Sequence, residues 1–196
     1  MKKAILLIAS LFGLSGLAVA EKTTMKTENK PDFREASVAK MAPKSAVDPT
    51  AGVIIAMGDV AGSPDRVYRA LITNELMEWW KLDGIYYTKD WKADPSVRGP
   101  WSVTVILADG KQVHEWGEFC ELNEPNKIVM TRRFAGHPSL GDRETTVTYH
   151  LLPSPNGTRV TIREEGFIGR ADSAYGNAEN WEKVLGLLDA YLSKNK

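Results

Sequence analysis

The chain has 196 residues, of which 43% are hydrophobic and 26% are charged, as in an ordinary globular protein. These proportions exclude a globally disordered or collagen-like chain. Its 25 basic and 25 acidic residues cancel, so the sequence lacks the charge excess typical of proteins that bind nucleic acid or anionic membranes. One cysteine, Cys120, excludes an internal disulfide, and with three histidines it fits no zinc-finger spacing. We expect one domain with additional segments, and no nucleic-acid partner, metal or cofactor.

Residues 1–20 have the three parts of a secretory signal peptide: a basic start, an apolar run and the small-x-small cleavage site Ala18-Val19-Ala20. An uncleaved membrane anchor is the alternative. The 17 residues from Ala4 to Ala20 would span only about 25 Å of an about 30 Å hydrocarbon core. We therefore predict cleavage after Ala20, a periplasmic or secreted bacterial protein, and no stable membrane insertion after cleavage.

Residues 21–50 are polar, with scattered apolar residues that follow no period, and we predict a flexible tether there. The folded domain is predicted over residues 51–196. It begins with a strand over Val53–Met57. Ser63-Pro64 predicts a helix start, because serine caps helices and proline suits the first helical position. A second short helix carries Trp79 and Trp80.

Strands dominate the centre of the domain. Apolar and polar residues alternate over 101–107, and further strands are predicted over 116–120, 128–134, 145–152 and 158–166. Asp109-Gly110 and Asn156-Gly157 are hairpin signals. Cys120 is expected to be a small buried strand residue. A long amphipathic helix is predicted from Ala178 to Ser193. Strands segregated from helices indicate an α+β fold with an antiparallel sheet.

Six segments in this order carry a family resemblance: Ser63–Leu71, Glu78-Trp79-Trp80, Gly117-Glu118-Phe119, Glu124–Val129, Gly157–Thr161 and Gly166-Phe167. With the last helix, they resemble the SRPBCC, or START-like, superfamily, and within it the heat-shock-protein ATPase activator homologue-like (AHSA-like) group. The resemblance implies the helix-grip fold. A curved antiparallel sheet of about six to seven strands would wrap around a long C-terminal helix, with two short helices after the first strand and a cavity between sheet and long helix.

This chain departs from the group at two points. It has a single glycine before Pro100-Trp101, and Arg132 stands where an aromatic residue is frequent. Pro100 has no amide hydrogen, so we place it at a strand start or edge.

The tryptophans between 79 and 116 either fill the core or line the implied cavity. On the second interpretation, the ligand-binding candidates combine these aromatic residues with inward-facing strand and helix residues. They are Trp80, Trp91, Trp101, Val103, Val105, Trp116, Met130, Arg132, Tyr149, Ile162, Glu164, Trp181 and Leu185.

Arg132 and Glu164 are the candidate catalytic residues. Arg132 shares a strand face with Ile128 and Met130, and Glu164 shares one with Ile162. Because an unpaired buried charge is costly, each should pair, meet a ligand or reach water at a sheet rim. His114, on one face with Trp116, and His150 are expected to be structural or solvated.

Three functions remain open from the sequence. The first is binding of a small hydrophobic or amphipathic molecule in the implied cavity. The second is a cyclase-like or hydrolase-like enzyme in which Arg132 stabilises an oxyanion and Glu164 acts as acid or base. The third, suggested by the family name, is a chaperone-related interaction module. The predicted export disfavours it, because a heat-shock ATPase would remain in the cytoplasm.

Overall fold

The computed structural model describes residues 38–135, 140–141 and 143–195. The predicted signal peptide and most of the predicted tether lie outside these residues. Within these ranges the chain forms nine strands and three helices. The strands are β1 (Lys44–Asp48), β2 (Val53–Val60), β3 (Lys81–Leu82), β4 (Tyr86–Ala93), β5 (Pro100–Leu107), β6 (Gln112–Asn123), β7 (Lys127–Ala135), β8 (Thr145–Ser154) and β9 (Gly157–Glu165). The helices are α1 (Pro64–Ile72), α2 (Leu76–Trp79) and α3 (Ala171–Lys194).

All nine strands belong to one antiparallel sheet in the order β1-β2-β9-β8-β7-β6-β5-β4-β3. From β3 to β9 each strand pairs with the next in the chain, and β2 joins this meander at β9. Helices α1 and α2 form the connection between β2 and β3, and α3 follows β9. The α+β class and the helix-grip arrangement are confirmed, but the sheet has more strands than the six to seven expected.

The additional strands are short, polar or irregular, so they lack the alternation of apolar and polar residues that predicts a strand. β3 has two residues. In β4 the pairing with β5 shifts between Lys89 and Lys92, where Asp90 has a φ of 57°. Such a bulge moves the following side chains to the other face and interrupts the period of two.

The long helix α3 begins at Ala171, earlier than the predicted start at Ala178. Its first turns bury the small or polar residues Ser173, Ala174 and Asn177, so they lack the apolar stripe that predicted the rest. Further along, Trp181, Leu185 and other large residues are buried against the sheet. No helix within the described ranges is both long and apolar enough to cross a membrane.

The polar segment before β2 is part of the fold. The backbone amide of Met41 donates to Asp59 Oδ2 at 2.9 Å, and the Asp59 amide donates back to the Met41 carbonyl at 2.9 Å. β1 then pairs with β2, and the hydroxyl of Ser45 donates to Glu182 Oε1 of α3 at 2.6 Å. The predicted tether boundary at residue 50 is therefore wrong. β1 is a partly exposed edge strand with little apolar signal of its own.

Of three other expectations, two are confirmed and one is wrong. Ser63 caps α1 by accepting a hydrogen bond from the Arg66 amide at 3.4 Å, with Pro64 in the first turn, as predicted. Pro100 begins β5, also as predicted. The expectation for Cys120 is wrong, because its side chain is exposed. Cys120 lies in β6, but its neighbour Phe119 occupies the buried face.

Asp59 generates a prediction about stability at low pH. Its side chain is fully buried. Hydrogen bonds from Arg159, opposed by burial, lower its pKa from 3.8 to about 2. A lowered folded-state pKa stabilises the protein above pH 4, and the contribution is lost as the pH falls from about 4 to about 2. We expect this contribution to reach about 2 kcal/mol. In urea unfolding, the unfolding free energy of wild type should exceed that of Asp59→Asn by less at pH 2.5 than at pH 5.

The control for this experiment is Asp83→Asn, which changes an exposed turn residue. Its difference from wild type should stay near zero at both pH values. An advantage of wild type over Asp59→Asn that is independent of pH would contradict the role assigned to the carboxylate charge.

Candidate functional site

A cavity of about 250 Å³ lies between the inner face of the sheet and the first turns of α3. Four adjacent strands, β4 to β7, form one wall, and α3 forms the other. The lining has six apolar or aromatic residues, six polar or charged residues and one glycine. It consists of Trp80, Tyr86, Val105, Leu107, Val113, Glu115, Arg132, Phe134, Asp172, Ser173, Gly176, Asn177 and Asn180.

Arg132 is the centre of a buried charge cluster at this wall. Its side chain is 4% exposed; Nε donates to Glu115 Oε2 at 2.9 Å, and Nη1 donates to Glu164 Oε1 at 3.3 Å. The inward alternation of β7 and β9 that predicted Arg132 and Glu164 inside is confirmed. The strand register accounts for their meeting, because Arg132 pairs with Thr145 on β8, two residues before Val147, which pairs with Glu164.

Glu164 connects the sheet to the long helix. The Thr145 hydroxyl donates to Glu164 Oε1 at 2.7 Å, and the Trp181 indole donates to Oε2 at 2.7 Å. The carboxylate is fully buried and does not line the cavity. Both of its oxygens therefore serve internal hydrogen bonds, which leaves it badly placed for the acid or base role considered from the sequence.

The guanidinium of Arg132 also lies over two aromatic rings, with Cζ 4.4 Å from the Phe134 centroid and 5.4 Å from the Trp181 centroid. Burial lowers the pKa of Arg132, but the neighbouring carboxylates of Glu115 and Glu164 outweigh burial and raise it above the ordinary value. Arg132 is therefore charged at any physiological pH. Its charge is already countered by two carboxylates, so it is a poor stabiliser for an added oxyanion.

Two polar groups of the cavity also bond within the protein. The amide Nδ2 of Asn177 donates to the Ser173 carbonyl at 2.9 Å. The Tyr86 hydroxyl donates to Asn180 Oδ1 across 3.5 Å. Burial is the main cause that raises the Tyr86 pKa to about 12, so the hydroxyl remains protonated and a donor at neutral pH.

The sequence-predicted ligand-binding residues divide into three groups. Trp80, Val105 and Arg132 line the cavity. A second group is buried in the core outside its lining: Trp91, Val103, Met130, Tyr149, Ile162, Glu164, Trp181 and Leu185, with Trp101, whose ring stacks on Trp91 at 5.7 Å. The third group is Trp116 alone, which lies on the outer face of the sheet.

Trp116 stacks on His114 with ring centroids 5.4 Å apart, beside a separate open groove of about 540 Å³. The shared face of these two residues is confirmed, but it is the opposite face from the cavity. In β6 the inner positions are Val113, Glu115 and Phe119, all of which are buried.

Sequence reasoning missed Glu115 and the helix wall from Asp172 to Asn180, together with the apolar wall residues Tyr86, Leu107, Val113 and Phe134. Glu115 was hidden because the neighbouring Trp116 suggested the opposite phase for β6. Val113 and Phe119 share the phase of Glu115 and could have identified it. The helix wall was missed because α3 was predicted to begin too late. Among the described side chains, no group of three or more histidine, cysteine, aspartate or glutamate residues is arranged to hold a metal ion.

The chain is similar to one protein family and to several solved structures. The family model described as "Activator of Hsp90 ATPase homolog 1-like protein" matches residues 61–193. The crystal structure of a protein from Chromobacterium violaceum is similar, with 25% identity, a TM-score of 0.64, and coverage of 72% of this chain and 97% of that one. An AHSA1 protein from Silicibacter pomeroyi has 19% identity and a TM-score of 0.61, over 74% and 99% of the two chains.

A third similar structure, solved in solution for a protein from Arthrobacter aurescens, has 20% identity and a TM-score of 0.66, over 77% of this chain and 91% of that one. No curated protein matches the sequence. The similarity to the Silicibacter pomeroyi and Arthrobacter aurescens structures, at 19% and 20% identity, establishes only the fold.

The charge cluster generates a stability prediction. Arg132→Met removes the cation and leaves two buried carboxylates facing each other, which should cost about 3–5 kcal/mol of unfolding free energy at pH 8. Urea unfolding at pH 8 should show this deficit as a lower unfolding free energy of Arg132→Met than of wild type.

Arg133→Met is the matched control. Arg133 pairs with Glu144 at 2.8 Å, but the two side chains are 50% and 42% exposed. Its loss should cost less than about 1 kcal/mol. Equal deficits in the two variants would contradict the structural role of Arg132.

Proposed function

The chain belongs to the family of Activator of Hsp90 ATPase homolog 1-like proteins, and from that premise we propose that it binds a small amphipathic molecule in the cavity beneath α3. The observation that carries this proposal is the cavity itself. Its walls combine aromatic and aliphatic side chains with an equal number of polar or charged ones, and small-molecule sites join apolar surface to placed polar groups in this way.

The size of the cavity limits the ligand. Its volume of about 250 Å³ falls below the range of about 300–1,000 Å³ for drug-sized ligands. A compound that buries about 300 Å² of apolar surface gains at most about 7 kcal/mol. Ordering costs reduce that gain, so we expect affinities in the micromolar to millimolar range for a small compound.

The other two functions receive less support. The catalytic alternative required Glu164 to reach a substrate, but its carboxylate is fully buried behind the cavity wall. The chaperone-related alternative conflicts with export, which we retain as a proposal from the sequence of residues 1–20. We therefore propose a periplasmic or secreted binding protein, and intact mass measurement of the protein from its own host would test cleavage after Ala20.

Gly176 offers a direct test of the cavity. It lines the cavity, and a Cβ added there would meet no atom within 4 Å. Gly176 is exposed, so a leucine there would add apolar volume at the edge of the cavity, and its Cβ would meet no backbone atom. We expect native mass spectrometry of the protein expressed from the full chain to show a retained small molecule in wild type and its loss in Gly176→Leu.

Gly186→Leu is the matched control, because Gly186 lies on the same helix, has the same free space around its Cβ position and does not line the cavity. This variant should retain the ligand. If wild type carries no ligand, and small amphipathic compounds added in excess leave its melting temperature unchanged, the proposal fails.

A further inference from the structure

The charges around the cavity do not balance. Glu115 and Arg132 lie on its wall, Asp172 lies at its exposed rim, and Glu164 lies directly behind Arg132. Among the described residues, these groups supply three carboxylates and one guanidinium, a formal charge of −2. An ion in a low-dielectric site is stabilised by opposite charge, so this excess favours a cation in the cavity.

The hydrogen-bonding groups of the wall also favour a cationic ligand. Arg132 and Asn177 use donor groups within the protein, as does the Tyr86 hydroxyl. Acceptors are left over. Of the two carboxylate oxygens of Glu115, only Oε2 receives a hydrogen bond from a described residue, and Asn177 Oδ1 receives none from the described part of the chain. Ser173 and Asn180 can serve as donor or acceptor.

The aromatic wall suits the same ligand class. Arg132 already covers the ring of Phe134. Tyr86 also lines the cavity, and its ring is not covered by that guanidinium. The ring of Trp80 is already stacked on Trp79 and Trp181, so it supplies apolar contact rather than a free aromatic face. Aromatic faces attract organic cations through the ring quadrupole while packing against apolar carbon.

We propose that the cavity takes a small organic amine, whose ammonium group donates hydrogen bonds to Glu115 Oε1 and Asn177 Oδ1 while its apolar part packs against Trp80 and Val105. This inference rests on the proposed ligand-binding function and narrows it to a class of ligand. A carboxylate ligand is the opposing candidate, since Arg132 lines the cavity. A carboxylate ligand would be repelled by the carboxylates of Glu115 and Asp172. The positive charge of Arg132 would attract it little, because Glu115 and Glu164 already offset that charge.

Three compounds of nearly equal size and different charge test the inference: benzylamine, benzyl alcohol and benzoate. Their affinities for the protein expressed from the full chain would be measured by NMR titration at neutral pH and constant salt. We expect benzylamine to bind at least about tenfold more tightly than benzyl alcohol, because a charged hydrogen bond replaces a neutral one. Benzoate should bind most weakly.

Glu115→Gln should lower the affinity for benzylamine by about tenfold and leave that for benzyl alcohol unchanged. Glu118→Gln is the matched control, because it removes the same charge from an exposed position on the same strand. If Glu115→Gln does not fold, Asp172→Asn at the rim replaces it, with an expected loss of about two- to threefold for benzylamine only.

The outcomes separate the two proposals. If benzyl alcohol or benzoate binds as tightly as benzylamine, the inference about charge is wrong and the ligand-binding function stands. If wild type binds none of the three compounds and carries no ligand in native mass spectrometry, both proposals are wrong. If benzylamine binds most tightly but equally well to the Glu115 and Glu118 variants, the assignment of Glu115 is overturned.

Discussion

The burial of Arg132 is the constraint on which the rest of this domain depends. A guanidinium that is 4% exposed is tolerable only where carboxylates and hydrogen bonds replace its water. Glu115 on β6 and Glu164 on β9 supply the carboxylates, and Trp181 of α3 donates to Glu164. One ionic network therefore fixes the position of the long helix relative to strands on both sides of β7. Apolar packing alone would leave the helix freer to slide.

The same network shapes the chemistry of the cavity. Glu164 is turned inward and satisfied, whereas Glu115 presents a carboxylate to the space beneath the first turns of α3. The site therefore combines a rigid rear layer with a wall that still offers acceptors. Such an arrangement suits selective binding better than proton transfer, because the fully buried carboxylate of Glu164 has no contact with the cavity.

Sequence reasoning succeeded where periodicity is regular and failed where it is interrupted. Alternation placed Arg132 and Glu164 inside, and Ser63-Pro64 marked the start of α1. The bulge around Asp90 concealed β4, and the small residues at the start of α3 concealed the helical wall of the cavity. The pairing of Arg132 with Glu115 also depends on the register between β6 and β7, which the pattern of one strand does not contain.

The segment from Val38 to Asp48 has a practical consequence for anyone who trims this chain. The family match begins at residue 61, inside the connection that follows β2. A fragment that begins there would lack two strands, and one that begins at residue 51 would leave β2 as an unprotected edge. Unpaired edges of that kind associate with other chains. Aggregation of a shortened protein would then reflect the missing strand β1, with its bonds to α3, rather than an intrinsic weakness of the domain.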